Sequence, residues 1–179
     1  QREPTRFALS SIPELMARSY PTWTVREVIP STGLAVIYGG PGSGKTFLMI
    51  DLTMAIVRGI KWQGRRTKQG VCVYIAGEGA LRSRVAAYIK KNELAEDDVR
   101  DFYALESTVN LLDPKADVLD LIEAIKAKVG DRPIRLIVID TLARSMPGGN
   151  ENASEDMGAV INAAGLLSSA FQCVLAFVH

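Results

Sequence analysis

The sequence predicts an α/β fold: a mainly parallel sheet with helices on both faces, in three α/β/α layers. Three observations predict it. Short runs of Val, Ile and Leu recur at 34–38, 71–76, 134–139 and 174–178 without alternating with polar residues. Such runs read as strands covered on both sides. Stretches with helical spacing separate them, and strand–helix alternation favours a parallel sheet with right-handed crossovers. A glycine-rich loop, Gly39-Gly40-Pro41-Gly42-Ser43-Gly44-Lys45-Thr46, lies between the first run and the first long helix.

The elements follow in order. Residues 1–33 are irregular and marked by Pro4, Pro13, Pro21 and Pro30, and they read as an extension that packs on the core. One short helix is expected from Ser11, with Pro13 in its first turn. Trp23, Val25, Val28 and Ile29 are expected to lie across the edge of the domain. The core runs over 34–179. A helix is expected over 45–58, a strand over 71–76, and a helix over 81–91 with Leu81, Val85, Tyr88 and Ile89 on one face. A short strand is expected over 102–105. Asp113-Pro114 reads as a helix start, with Leu119, Ile122, Ile125 and Val129 as its apolar stripe and Gly130 as its stop. The loop Met146-Pro147-Gly148-Gly149 precedes a long helix capped by Asn152 or Ser154. Its expected buried face is Met157, Val160, Ile161, Ala164 and Phe171, and Glu155 and Asp156 suit its first turn.

Length and composition exclude several classes. The 179 residues fit one domain. Lys plus Arg is 21 and Asp plus Glu is 20, so a strongly basic arm or polyacidic tail is excluded, although a local basic groove is not. Hydrophobic residues at 47% make a packed core the expectation. No apolar run approaches the roughly 18 residues of a membrane span, so no membrane partner is expected. Cys72 and Cys173 sit in apolar β-branched runs and read as buried reduced thiols of an intracellular, cytoplasmic protein. The chain lacks an initiator Met and stops at His179 directly after an apolar run. Truncation at both ends is therefore the expectation.

The loop at 39–46 fits G-x-x-x-x-G-K-[ST] at every fixed position. Phosphates need several backbone N–H groups aimed at one place, and glycines let the chain curl around the anion. The following helix adds its free N–H groups and positive dipole end. The expected nucleotide-binding residues are Gly40, Pro41, Gly42, Ser43, Gly44, Lys45, Thr46 and Phe47. Lys45 supplies a charge for the β- and γ-phosphates, and the Thr46 hydroxyl is a ligand for Mg²⁺. Leu136-Ile137-Val138-Ile139-Asp140 ends an apolar run in a carboxylate, so Asp140 is the second expected Mg²⁺ residue. Thr141 stands where many phosphate-loop enzymes carry a catalytic Glu. Glu78, between Gly77 and Gly79 after the second strand, is the candidate general base. His179, the sole histidine, ends the last strand and is the candidate γ-phosphate sensor. Arg84 is a candidate cation–π partner for adenine, preferred over Arg82 because it lies next to the helix's apolar face. One histidine and two cysteines do not make a structural zinc site.

This arrangement resembles the RecA-like P-loop ATPases, and within them the RepA-type hexameric replicative helicases. The resemblance covers about residues 34–179. Its carriers are 39–46, Trp62-Gln63-Gly64, Gly77-Glu78-Gly79, Ile139-Asp140-Thr141-Leu142-Ala143-Arg144, Asn150-Glu151-Asn152-Ala153-Ser154 with Met157, and the strand ending in His179. The resemblance implies a sensor strand between the Walker A and Walker B strands. It also implies Glu78 as base, Asp140 as the Walker B carboxylate and His179 as sensor. It implies ATP and Mg²⁺ as cofactors and, for the full-length protein, a hexameric homo-oligomeric ring and single-stranded DNA as a partner. The family's DNA-contacting loop and trans-acting arginine finger lie beyond the sensor strand. Their absence here predicts ATP binding with slow hydrolysis by the 179-residue chain.

The residues themselves support the motor core better than DNA binding. Lys61, Arg65, Arg66 and Lys68 form a basic loop that reads as a solvated surface, with contact to DNA or a neighbouring subunit as the alternative. No Lys or Arg follows Arg144 in its loop, which is poor for gripping phosphates. Two other functions stay open: a recombination or repair ATPase without unwinding, and a nucleotide-dependent switch that works through partners.

Overall fold

A computed structural model describes residues 9–18, 20, 22–77, 79–113 and 117–179. Helix α1 (Ile12–Met16) starts on a Ser11 capping box: Glu14 reaches back to the Ser11 N–H at 2.7 Å. Strands β1 (Trp23–Val25) and β2 (Ile29–Pro30) pair as a small antiparallel ribbon. Val25 and Ile29 enter the core, whereas Trp23 and Val28 stay about 40% exposed.

The main sheet uses β3 (Gly33–Ile37), β4 (Val71–Ala76), β5 (Phe102–Leu105), β6 (Ile134–Asp140) and β7 (Val174–Val178). Its order is β3-β7-β6-β4-β5, and every pairing is parallel. Thus β7 lies between the strand that precedes the glycine-rich loop and the strand that ends in Asp140, as the resemblance implies. Helices α2 (Lys45–Arg58) and α3 (Leu81–Lys91) cover one face; α4 (Leu119–Val129) and α5 (Ser154–Phe171) cover the other.

Strand parity divides the core. Val71, Val73 and Ile75 pack toward α4 and α5, while Cys72, Tyr74 and Ala76 pack toward α2. On β6, Leu136 and Val138 share the α2 side. The same parity carries Asp140 to that side, over the start of α2. On β7, Leu175 and Phe177 face α5, so His179 projects to the side opposite Asp140.

Several expectations need correction. Strand β3 is not covered on both faces: Leu34 is 39% and Val36 57% exposed, because β3 is the edge of the sheet. Ile161 is not buried; it is 51% exposed, and Ala163, Leu167 and Ser168 join Val160 and Ala164 on the inner face of α5. Neither Asn152 nor Ser154 caps α5. Ala153 holds the cap position without a side-chain bond, while Asp156 accepts the Asn150 N–H at 2.8 Å and ties down the preceding loop. The α-helix expected from Asp113 begins at Leu119, and Pro114 lies outside the described residues. Gly130, at φ 64°, ends α4 as expected. No helix of the described residues is long and apolar enough to cross a membrane.

Candidate nucleotide site

The glycine-rich loop leaves the C-terminal edge of β3 and enters α2. Gly42 and Gly44 hold φ of 73° and 88°, values that a side chain disfavours. Gly44 is the cap residue of α2 and makes no side-chain cap bond, so the first-turn N–H groups are left for another acceptor. Lys45 arches back over the loop, and its ammonium donates to the carbonyls of Gly39 and Gly40. The His179 backbone pins the loop's base: its N–H donates to Ile37 at 2.9 Å and its carbonyl accepts the Gly39 N–H at 3.1 Å.

Asp140 ends β6 in a buried position, 7% exposed. A buried carboxylate needs partners to offset lost hydration. The Thr46 hydroxyl donates to Oδ2 at 2.8 Å and the Tyr74 hydroxyl donates to the same oxygen at 2.7 Å. Burial and the neighbouring Asp140 charge push the Tyr74 phenol far above its ordinary range, so it remains a donor at any physiological pH. The Asp140–Thr141 peptide is cis.

Lys45, Thr46 and Asp140 line one cavity of about 410 Å³. Its wall holds residues 41–47, Asp140 and Thr141 at the loop end, with Ala76, Leu81, Arg84 and Val178 around them. The Arg84 guanidinium stands 5.7 Å from the centre of the Phe47 ring. A flat cation and an exposed ring in the wall of this cavity suit an aromatic base.

Most of the sequence-predicted residues converge here: Pro41, Gly42, Ser43, Gly44, Lys45, Thr46, Phe47, Arg84 and Asp140 all line the cavity. Gly40 contributes its carbonyl to Lys45 rather than lining the cavity. Glu78 lies outside the described residues. His179, the candidate γ-phosphate sensor, does not line the cavity. Its backbone supports the loop, and its ring turns to the other side of the sheet. There it meets Tyr38 edge-on at 5.4 Å, and its Nε2 is 3.7 Å from a Glu151 oxygen.

Tyr74 is the residue that sequence reading missed. A lone tyrosine in an aliphatic strand is a signal for a buried polar handle, but its partner depends on strand register. Trp62-Gln63-Gly64 has a structural role: Gln63 and Gly64 take φ of 48° and 79° in a tight turn closed by reciprocal Trp62–Arg65 bonds of 2.9 Å. The Trp62 indole then donates to Asp51 on α2 at 2.9 Å. Lys61, Arg65, Arg66 and Lys68 are exposed, and Arg65 pairs with Glu27.

The oxygen donors fit Mg²⁺. A hydroxyl and a carboxylate are the hard ligands it prefers, and Mg²⁺ in phosphate sites takes one or two protein groups plus substrate oxygens and waters.

A family model described as an AAA domain matches residues 3–179. The chain belongs to that family. No curated protein matches it. An AAA domain of this kind is a nucleotide-dependent P-loop ATPase domain, and the loop, the parallel sheet and the helix entry of α2 are the parts such a domain requires.

Proposed function

We propose that this AAA domain binds Mg·ATP and hydrolyses it as the motor core of a RepA-like, ring-forming DNA helicase. The observation that carries the nucleotide reading is the Thr46–Asp140 hydrogen bond of 2.8 Å beside the Lys45 ammonium in one cavity. The loop N–H groups and Lys45 bind the β- and γ-phosphates. Thr46 and Asp140 would hold Mg²⁺, which would supply positive charge to offset the charge developing on the γ-phosphoryl group. Arg84, 5.7 Å from the Phe47 ring, offers its guanidinium face to the base as a cation–π partner, with Phe47 beside it.

Glu78 accepts the proton of the attacking water as its oxygen adds in line to the γ-phosphorus. The bond from that phosphorus to the bridging oxygen breaks, and ADP and phosphate leave. His179 reads the γ-phosphate through the loop that its backbone supports, and Glu151 is the carboxylate its ring meets. Residues 34–179 form the motor core, with 1–33 as an extension on it; the burial of Val25 and Ile29 supports that packing.

The DNA and ring assignments rest on the resemblance to RepA-type helicases carried by the order and spacing of 39–46, 62–64, 77–79, 139–144, 150–154 with Met157, and the strand ending in His179. The test adds single-stranded DNA to an ATPase assay of the full-length protein. Stimulation of several-fold, followed by unwinding of a forked duplex, supports the helicase. Stimulation without unwinding favours the repair-type ATPase, and no DNA effect favours a nucleotide-dependent switch.

A further inference from the structure

Asp140 is held by two hydroxyls, and only one of them belongs to the phosphate loop. The second comes from Tyr74, on the neighbouring strand β4. Register explains how it arrives. Ala76 pairs with Asp140 and Tyr74 pairs with Val138, so Tyr74 lies diagonally behind Asp140 on the α2 side of the sheet. The phenol is long enough to bring its oxygen to Asp140 Oδ2 at 2.7 Å. The ring is fully buried and stacks on Phe102, with centroids 6.0 Å apart. Its position is therefore set by packing that does not depend on nucleotide.

We infer that Tyr74 is a positioning residue for Asp140: its hydroxyl holds Oδ2 and thereby sets which carboxylate oxygen meets the metal's water shell. The inference rests on the reading of Thr46 and Asp140 as the Mg²⁺-holding pair. Thr46 can keep donating to Oδ2 while its lone pair meets the metal, but a single donor leaves the carboxylate free to rotate about its Cβ–Cγ bond. Tyr74 removes that freedom. Partners of this kind commonly change metal affinity by about 10- to 100-fold when removed.

The test measures the affinity of a fluorescent ATP analogue with EDTA and with Mg²⁺, for the whole chain and for Tyr74→Phe. The substitution keeps the ring and removes the hydroxyl; Tyr74→Met, which fills the space without a donor, repeats the reading by a second route. Thermal melts confirm that each variant is folded. The expected result is unchanged affinity in EDTA and a roughly tenfold smaller tightening by Mg²⁺. The loss should not add to that of Asp140→Asn, because both act through one carboxylate. Wild-type tightening in Tyr74→Phe overturns the inference. So does an equal loss in both media, or a loss additive with Asp140→Asn. If the unmodified chain shows no Mg²⁺ tightening, the metal reading itself fails and the role of Tyr74 falls with it.

Discussion

Lys45 and Glu78 carry opposite expectations. Lys45→Ala removes a charge that the loop holds in place through two carbonyls. With charge-assisted bonds worth about 1.5–3 kcal/mol each, ATP affinity measured by calorimetry should fall at least about 100-fold. Glu78→Gln should bind ATP normally and lose about 100-fold or more in kcat; normal turnover would remove Glu78 from the base role. The cysteines give a pH prediction. Burial pushes the Cys173 thiol up to about 12 and raises Cys72 well above its usual range. Both should resist iodoacetamide at pH 8 until the chain is unfolded. A raised folded-state value means the stabilising effect is whole below the unfolded thiol value of about 8.5. It is lost as pH climbs toward the folded value, by up to about 1.4 kcal/mol per pH unit for each thiol. Melting curves between pH 7 and 11 should show this fall, and Cys173→Ala should make it shallower. The phosphate-loop residues and Asp140 were legible because each is written in a few adjacent positions. Tyr74 was not, because its partner lies on another strand.

The strands and helices were legible in type and order, and less so in exposure. The apolar runs announced β4, β6 and β7, which are buried along nearly their whole length. An identical-looking run in β3 turned out half exposed, since apolar composition does not say which strand has no neighbour on one side. Helix α5 shows the same limit: Ile161 has helical spacing but faces out, while the smaller Ala163 takes the inner place. Where β4 begins, Gly70 is required for a steric reason. A Cβ there would lie 2.7 Å from the Pro133 carbonyl oxygen and 2.7 Å from Arg135 Cγ, where the β4–β6 register shifts. Gly70→Ala should cost about 1–3 kcal/mol, which is about 2–4 °C in Tm for each kcal/mol in a chain of this size. Nucleotide affinity should not change, because Gly70 is at the end of β4 away from the cavity.

For the molecule as a whole, the ring proposal predicts that the mass of the full-length protein in light scattering shifts from monomer toward hexamer when Mg·ATP and single-stranded DNA are both present. A chain that stays monomeric while hydrolysing ATP at a DNA-stimulated rate would contradict it. Sequence alone determined the alternation of strands and helices, the phosphate loop and the carboxylate at the end of its run. All of these are encoded by contiguous residues and by short-range periodicity. Folding decided the rest: that β3 is an edge, that Thr46 and Tyr74 meet on one oxygen of Asp140, and that the His179 ring turns away from the cavity toward Glu151. Each of these depends on the register and parity of strands brought together from distant parts of the chain. No local pattern carries that information.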